Sequence, residues 1–359
     1  MPHCEKNPLS LFITSNCNMS CKYCYTQKIR CNKQTIPYSF GKKGIDVYLT
    51  PQNPHLRFFG AGEPTLEIEL LKKLYNYAFE KIGTSLVTEI QTNGYFGHNT
   101  AKWLANHLDI IWLSWDGPAD VQNSYRITTG GEPTSHIVEK NAKYLIENSK
   151  GVVGVRMTVG AQNVTKQEEA IRYFASKGIK HVWSDPIFRG LNEIEDQSDI
   201  DIMQYAKEFI KATHIASELG VNYGSLLTCN FDAKTEYNCR ACLSAPHLTT
   251  DGYISACDMA LFGQLGGPMD CFIYGRWDKD NNDLIYDHDK INHLKTRSAS
   301  NMKKCQNCEV ISYCAGYCLG EIANETGDFF NIKEKVCEAI RFLAKELNVG
   351  QLSYKYHHP

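Results

Sequence analysis

The chain has 359 residues, 43% of them hydrophobic, with a formal net charge of −2, which suffices for a large core and leaves no polyanion footprint, so nucleic acid is excluded as an expected partner. No apolar run is long enough to span a membrane, and the start MPHCEKNPLSLF lacks the basic, apolar and small-residue regions of a secretory signal. Fifteen cysteines therefore point to metal ligation in a reducing cytoplasm rather than to a disulfide framework.

In chain order, strand-like runs fall at Leu9 to Thr14, His55 to Phe59, Leu86 to Thr92, Asp109 to Trp115, Val152 to Val159 and His181 to Asp185. Amphipathic stretches at helical spacing fall at Leu66 to Ile82, Thr100 to His107, Ser135 to Asn148, Lys166 to Ser176 and Ser198 to Leu219. Six βα units predict an α/β fold with a parallel sheet and right-handed crossovers, more naturally an open partial (β/α)6 TIM-like barrel than a closed eightfold one. Its site is expected where strands hand over to loops at their carboxyl ends, and its open side would admit a large substrate. Beyond Leu219 the composition shifts to Gly, Asn, Asp and Cys, with the next clear helix at Lys333 to Leu347. A barrel over 1–222 and a small cysteine-rich, metal-stapled domain over 223–359 are the expected units.

Directly after the first strand, Cys17, Cys21 and Cys24 stand in the run CNMSCKYCY. Three thiolates leave one iron of a four-iron cluster open, whereas a zinc site wants a fourth nearby Cys or His. The second strand leads into FFGAGEPT, where a glycine-rich turn lets backbone approach a ligand and Glu63 supplies charge for an ammonium group. The fourth strand ends in LSWDG, placing Ser114 and Asp116, short polar groups suited to a ribose; the fifth carries Arg156 and Thr158 on one face.

This Cys-x-x-x-Cys-x-x-Cys spacing resembles the signature of radical S-adenosylmethionine (SAM) enzymes. The resemblance implies that SAM chelates the open iron and that its cleavage yields a 5′-deoxyadenosyl radical, which abstracts a substrate hydrogen. By the same resemblance, Ala61, Gly62 and Glu63 match the family's Gly-Gly-Glu-Pro turn that holds the methionyl amine, with Ala61 in place of the first glycine. Arg156 is the candidate for the SAM carboxylate, a surface arginine being the alternative. Tyr23 is expected on the adenine or else in the core. Arg126 keeps the family's spacing from Asp-Gly, or else forms a structural ion pair.

Further on, Cys242, Cys257, Cys305, Cys308, Cys314, Cys318 and Cys337 reproduce the spacings of the SPASM domain, an auxiliary-cluster domain of peptide and protein maturases. The resemblance assigns Cys305, Cys308, Cys314 and Cys337 to one auxiliary [4Fe–4S] cluster, and Cys242, Cys257 and Cys318 to another. The fourth ligand of the latter is expected at Cys239, with Cys229, water or a substrate thiol as alternatives. Three clusters would use eleven cysteines and leave Cys4, Cys31, Cys229 and Cys271. Asp258 follows Cys257, and in sulfatase-maturating relatives an acid matching this position deprotonates the substrate; a structural acid is the alternative.

The function implied is a two-electron oxidation of a residue in a ribosomal peptide or protein, forming a thioether or carbon–carbon cross-link. Formylglycine formation in a sulfatase and dehydrogenation of a small alcohol are the alternatives. A peptide or protein substrate and a small electron-transfer protein are the expected partners. The stretch ahead of Cys17 is too short for a leader-binding domain, so a leader-bearing substrate calls for a separate recognition protein or a groove in the barrel.

Overall fold

A computed structural model describes residues 7–26, 33–187, 200–263 and 266–350; Cys4, Cys31 and Ser198 lie outside the described residues. Six parallel strands form where the apolar runs predict them: β1 (Leu9–Phe12), β2 (His55–Phe59), β3 (Val87–Thr92), β4 (Ile110–Ser114), β5 (Val152–Val159) and β6 (His181–Pro186). All four residues of β1 are buried, as expected of a strand covered on both faces. A seventh strand, β7 (Asn222–Gly224), continues the parallel order beside β6. It is a correction to the count of six units, since three residues carry too little periodicity to be recognised.

Helix α1 (Tyr38–Tyr48) occupies the first crossover and was not anticipated. Its sequence YSFGKKGIDVY has two glycines, poor helix formers, and they are there for proximity. A Cβ on Gly44 would lie 2.4 Å from Leu248 Cδ2, and one on Gly41 2.8 Å from Leu74 Cδ2. The other crossovers hold α2 (Ile68–Ile82), α3 (His98–His107), α4 (Ala119–Tyr125) and α5 (Ser135–Asn148), α6 (Gln167–Ser176) and α7 (Ile202–Glu218). A 3₁₀ turn at Pro64–Glu67 takes the first residues of the stretch predicted from Leu66.

The cysteine-rich region extends the same sheet. Strand β8 (His247–Leu248) pairs parallel with β1 on the side away from β2, and β9 (Tyr253–Ser255), β10 (Ile273–Asp278) and β11 (Asp283–Tyr286) continue antiparallel. Among the described residues β7 and β11 are the two sheet edges. Short helices α8 (His288–Lys295), α9 (Ile311–Cys314) and α10 (Leu319–Thr326) precede α11 (Glu334–Glu346), which packs on α7. The first three are corrections to the expectation of no helix before Lys333; none exceeds eight residues, too short for a clear amphipathic period.

Candidate active site

At the carboxyl ends of the parallel strands a cavity of about 320 Å³ opens, within the ~300–1,000 Å³ of small-molecule sites. Cys17, Cys21 and Cys24 line it, and so do Cys239, Cys257 and Cys318, separated in sequence by more than two hundred residues. Cys17 accepts from Met19 N at 3.4 Å, and Cys24 Sγ lies 3.1 Å from Thr26 Oγ1. Thr26 in turn donates to the Ala61 carbonyl at 2.7 Å, tying the cysteine loop to the turn after β2.

That turn is fixed against the chain just ahead of Cys17: Gly62 N donates to Thr14 O at 3.0 Å and Glu63 N to Asn16 O at 2.7 Å. Only glycine fits at 62, because a Cβ would fall 1.9 Å from Asn16 O. Ala61, by contrast, has room for its methyl in an apolar cluster with Phe12, Phe59, Leu261 and Phe262. Glu63 is buried and accepts from Thr65 N (3.0 Å), Thr65 Oγ1 (2.7 Å), Thr92 Oγ1 (2.6 Å) and Asn93 N (2.6 Å). Three of these reach Oε1 and only Asn93 N reaches Oε2, so Oε2 keeps acceptor capacity. Burial pushes the carboxyl above its ordinary value against those donors.

Asp116 accepts from Tyr23 Oη (2.5 Å), Arg126 Nε (2.9 Å), Arg126 Nη2 (3.1 Å) and Thr158 N (2.9 Å). With both oxygens engaged twice, it anchors the segment after β4. The Tyr23 ring sits 5.2 Å from that of Tyr125, beneath the Arg126 guanidinium, and Tyr23, Ser114 and Arg126 all line the cavity. Arg156 Nη2 donates to Asp185 at 2.8 Å, whereas its Nη1 is buried with no hydrogen-bond partner.

A row of polar residues that the sequence reading passed over runs across four neighbouring strands. His247 on β8 pairs in register with Ser10 on β1, Ser10 with Arg57 on β2, and Arg57 with Glu89 on β3. All four are buried. Arg57 Nη1 donates to both oxygens of Asp258, at 2.8 and 2.9 Å, and its Nε lies 3.5 Å from Glu89 Oε1. Although burial works the other way, Arg57, His247 and Arg240 hold the Asp258 carboxyl down to about 2. A lone arginine in the apolar run HLRFF was the available signal.

The remaining cysteines gather in two sets. Cys239, Cys242, Cys257 and Cys318 act on one another electrostatically, as do Cys305, Cys308, Cys314 and Cys337. Cys229 instead accepts from Asn238 Nδ2 at 3.7 Å, and Cys271 donates to Pro268 O at 2.8 Å. Burial pushes the Cys21 thiol up to about 12 and raises Cys257 as well, so these sulfurs become thiolates only with help from a cation. No three of the described His, Cys, Asp or Glu side chains are placed to hold a single metal ion. A four-iron cluster takes one thiolate per iron, and the triplet and the two sets of four have the thiolate counts that such clusters take.

A family model described as the radical SAM superfamily matches residues 11–195, just over half of the chain. The chain belongs to the radical SAM superfamily. Members of this superfamily are enzymes that work with SAM and a [4Fe–4S] cluster. The radical SAM cyclopropyl synthase TigE of Paramaledivibacter caminithermalis is 22% identical, with 94% of this chain and 73% of that protein aligned. A cysteine-type anaerobic sulfatase-maturating enzyme of Clostridium perfringens is 30% identical over 48% of this chain and 50% of its own. Among solved structures, anSMEcpe with bound AdoMet and a Cp18Cys peptide superposes with a TM-score of 0.74 at 19% identity, covering 95% of this chain and 97% of that one. Streptococcus suis SuiB bound to precursor peptide SuiA gives 0.67 at 18%, covering 93% and 76%. The radical SAM core and the cysteine-rich SPASM-type region thus share the fold of these maturases. Among the described residues no helix is long and apolar enough to cross a membrane.

Proposed function

We propose that this enzyme oxidises a residue of a ribosomal peptide or protein by two electrons, forming a thioether or carbon–carbon cross-link. The observation that carries the reading is the shared cavity onto which both the Cys17, Cys21, Cys24 triplet and Cys239, Cys257, Cys318 open. When bound, SAM and its cluster supply hydrogen-atom abstraction, and the auxiliary clusters an acceptor for the second electron. Cys17, Cys21 and Cys24 hold the first cluster; Cys239, Cys242, Cys257 and Cys318 hold the second; Cys305, Cys308, Cys314 and Cys337 hold the third. Mutual proximity favours Cys239 over Cys229 as the fourth ligand of the second.

Around them, Glu63 Oε2 and the Gly62 turn receive the methionyl ammonium, and the unpaired Nη1 of Arg156 receives its carboxylate. Ser114 meets the ribose side, and Trp183, Ile187 and Leu226 line the remaining wall and exclude water. Asp258, ionised and facing the cavity, accepts the proton that leaves the substrate after hydrogen abstraction.

Formylglycine formation is a second reading, favoured by the 30% identity to the sulfatase-maturating enzyme over 190 residues. Reconstituted protein with SAM, reductant and a cysteine-bearing sulfatase-type peptide separates the two under anaerobic conditions. We expect 5′-deoxyadenosine with the peptide mass unchanged. A thiol replaced by an aldehyde would establish the second reading instead, and no 5′-deoxyadenosine would remove both.

A further inference from the structure

Arg240 lies in a 3₁₀ turn between two of the auxiliary-set cysteines, in the run Arg240–Leu243, and lines the cavity. It is only 8% exposed and no side-chain hydrogen bond joins its guanidinium to a described residue, the negative groups that act on it being Asp258, Glu89 and Cys239 through the field. Guanidinium donors left open at a cavity wall suit an anion. The nearby carboxylates act on Arg240 only through the field and make their direct contacts with other groups. Asp258 gives both oxygens to Arg57, Asp185 accepts from Arg156 and from Leu226 N, and Glu89 holds His55 at 3.0 Å and Arg57 at 3.5 Å. Arg57 adds two further buried nitrogens without hydrogen bonds, Nε and Nη2, to the same neighbourhood.

We propose that Arg240, supported by Arg57, receives a carboxylate of the substrate, so that the peptide acted on carries an acidic side chain or its own C-terminus beside the oxidised residue. This rests on the peptide-maturase reading above. Position separates the site from the SAM pocket. Arg240 follows Cys239 and Asp258 follows Cys257, so the two belong to the auxiliary-cysteine wall, whereas the ammonium-binding turn belongs to the strand ends of β1 and β2. A planar guanidinium with free donors suits bidentate carboxylate recognition. A carboxylate seated there holds the neighbouring residue next to Asp258, the group that takes its proton.

The test uses the reconstituted holoenzyme with SAM bound and twin pentapeptides, acetylated and amidated, with Asp against Asn or Glu against Gln at the centre. A neutral pentapeptide with a free C-terminal carboxylate forms the third arm, and Kd is read from tryptophan fluorescence, Trp183 being in the cavity wall. We expect one carboxylate-bearing arm to bind about tenfold or more tightly than its amide twin; which arm does so identifies the source. Arg240→Gln should erase most of that preference and Arg240→Lys should keep part of it, at unchanged iron content. Equal or undetectable binding of the twins, a preference that survives Arg240→Gln, or a loss confined to SAM affinity overturns the proposal. Failure of the underlying functional reading shows separately, as absence of 5′-deoxyadenosine.

Discussion

Arg57 directs a single nitrogen, Nη1, at both oxygens of Asp258, at 2.8 and 2.9 Å, and stacks its guanidinium 4.3 Å from the Phe59 ring centre. Against burial, this pairing and the nearby His247 and Arg240 lower the Asp258 carboxyl to about 2, which favours its ionised form. A base must be unprotonated before it acts, and one this weak acts on a strongly acidified C–H or S–H group, such as one adjacent to a carbon radical. Asp258→Asn should therefore abolish modified product while leaving 5′-deoxyadenosine formation largely intact, both followed by mass spectrometry. Unchanged product formation would take Asp258 out of the chemistry.

Removing the other partner has a structural consequence. Arg57→Met leaves Asp258 and Glu89 facing each other's field without their shared cation, and breaking a buried pair by removing one member costs about 3–5 kcal/mol. The expected result is a destabilised protein whose Asp258 carboxyl titrates closer to the ordinary carboxylate range. Chemical denaturation of variant and parent checks the first part, and a shift of the acid limb of product formation to higher pH checks the second.

His247 gives the fold its own pH dependence. Burial, with Arg240 and Arg57 nearby, pushes its imidazole down to about 4 from an ordinary 6.5, despite Asp258 Oδ1 at 3.2 Å from Nδ1. Between those two values the unfolded chain binds the proton and the folded one does not, so stability falls as pH drops from about 6.5 toward 4. The difference amounts to about 3 kcal/mol at most, at roughly 1.4 kcal/mol per unit. Denaturation midpoints from pH 7 to 4.5 should fall more steeply in the parent than in His247→Asn; parallel curves would show that another group governs the slope.

The strands, the α/β class with its parallel sheet and the radical SAM motif were legible because each is local: an apolar run, a βα alternation, a spacing. What escaped is lateral. Strand β8 has two residues and no period of its own, yet it places His247 level with Ser10 and Arg57 through pairing with β1. Nothing in the order of residues states that register, so the polar row from His247 to Glu89 and the open donors of Arg240 appear only once the sheet is assembled. Helix α1 was hidden for a related reason, its glycines serving contacts with Leu74 and Leu248 that lie far along the chain. Ala61 likewise departs from a glycine pattern because Phe12, Phe59, Leu261 and Phe262 gather around it.

The choice between Cys239 and Cys229 has a simple readout. Cys239 receives the S–H of Cys242, which brings its own thiol below its ordinary value, whereas Cys229 accepts from Asn238 Nδ2. Cys239→Ala should lose up to about four irons per chain after anaerobic reconstitution, on the stoichiometry of a four-iron cluster, and Cys229→Ala should lose none. The reverse pattern would move the ligand to Cys229.

Arg297 links the two auxiliary sets. It is 1% exposed and donates to the carbonyls of Phe329 (2.5 Å), Ala315 (2.9 Å) and Gly316 (2.6 Å), the last two in the segment between Cys314 of one set and Cys318 of the other. Burial lowers its affinity for the proton, and the groups that offset this are Cys242, Cys239, Cys314 and Cys305, two from each set. With the clusters proposed above in both sets, a fixed cation beside them would stabilise the more reduced, more negative state of each. Arg297→Met should therefore shift both auxiliary midpoint potentials downward in redox titrations followed by electron paramagnetic resonance. Arg297→Lys keeps the charge but cannot reproduce the three-carbonyl clamp, so potentials near the parent's in Lys together with lowered ones in Met would assign the effect to charge. Equal shifts in both variants would assign it to the 314–318 segment instead.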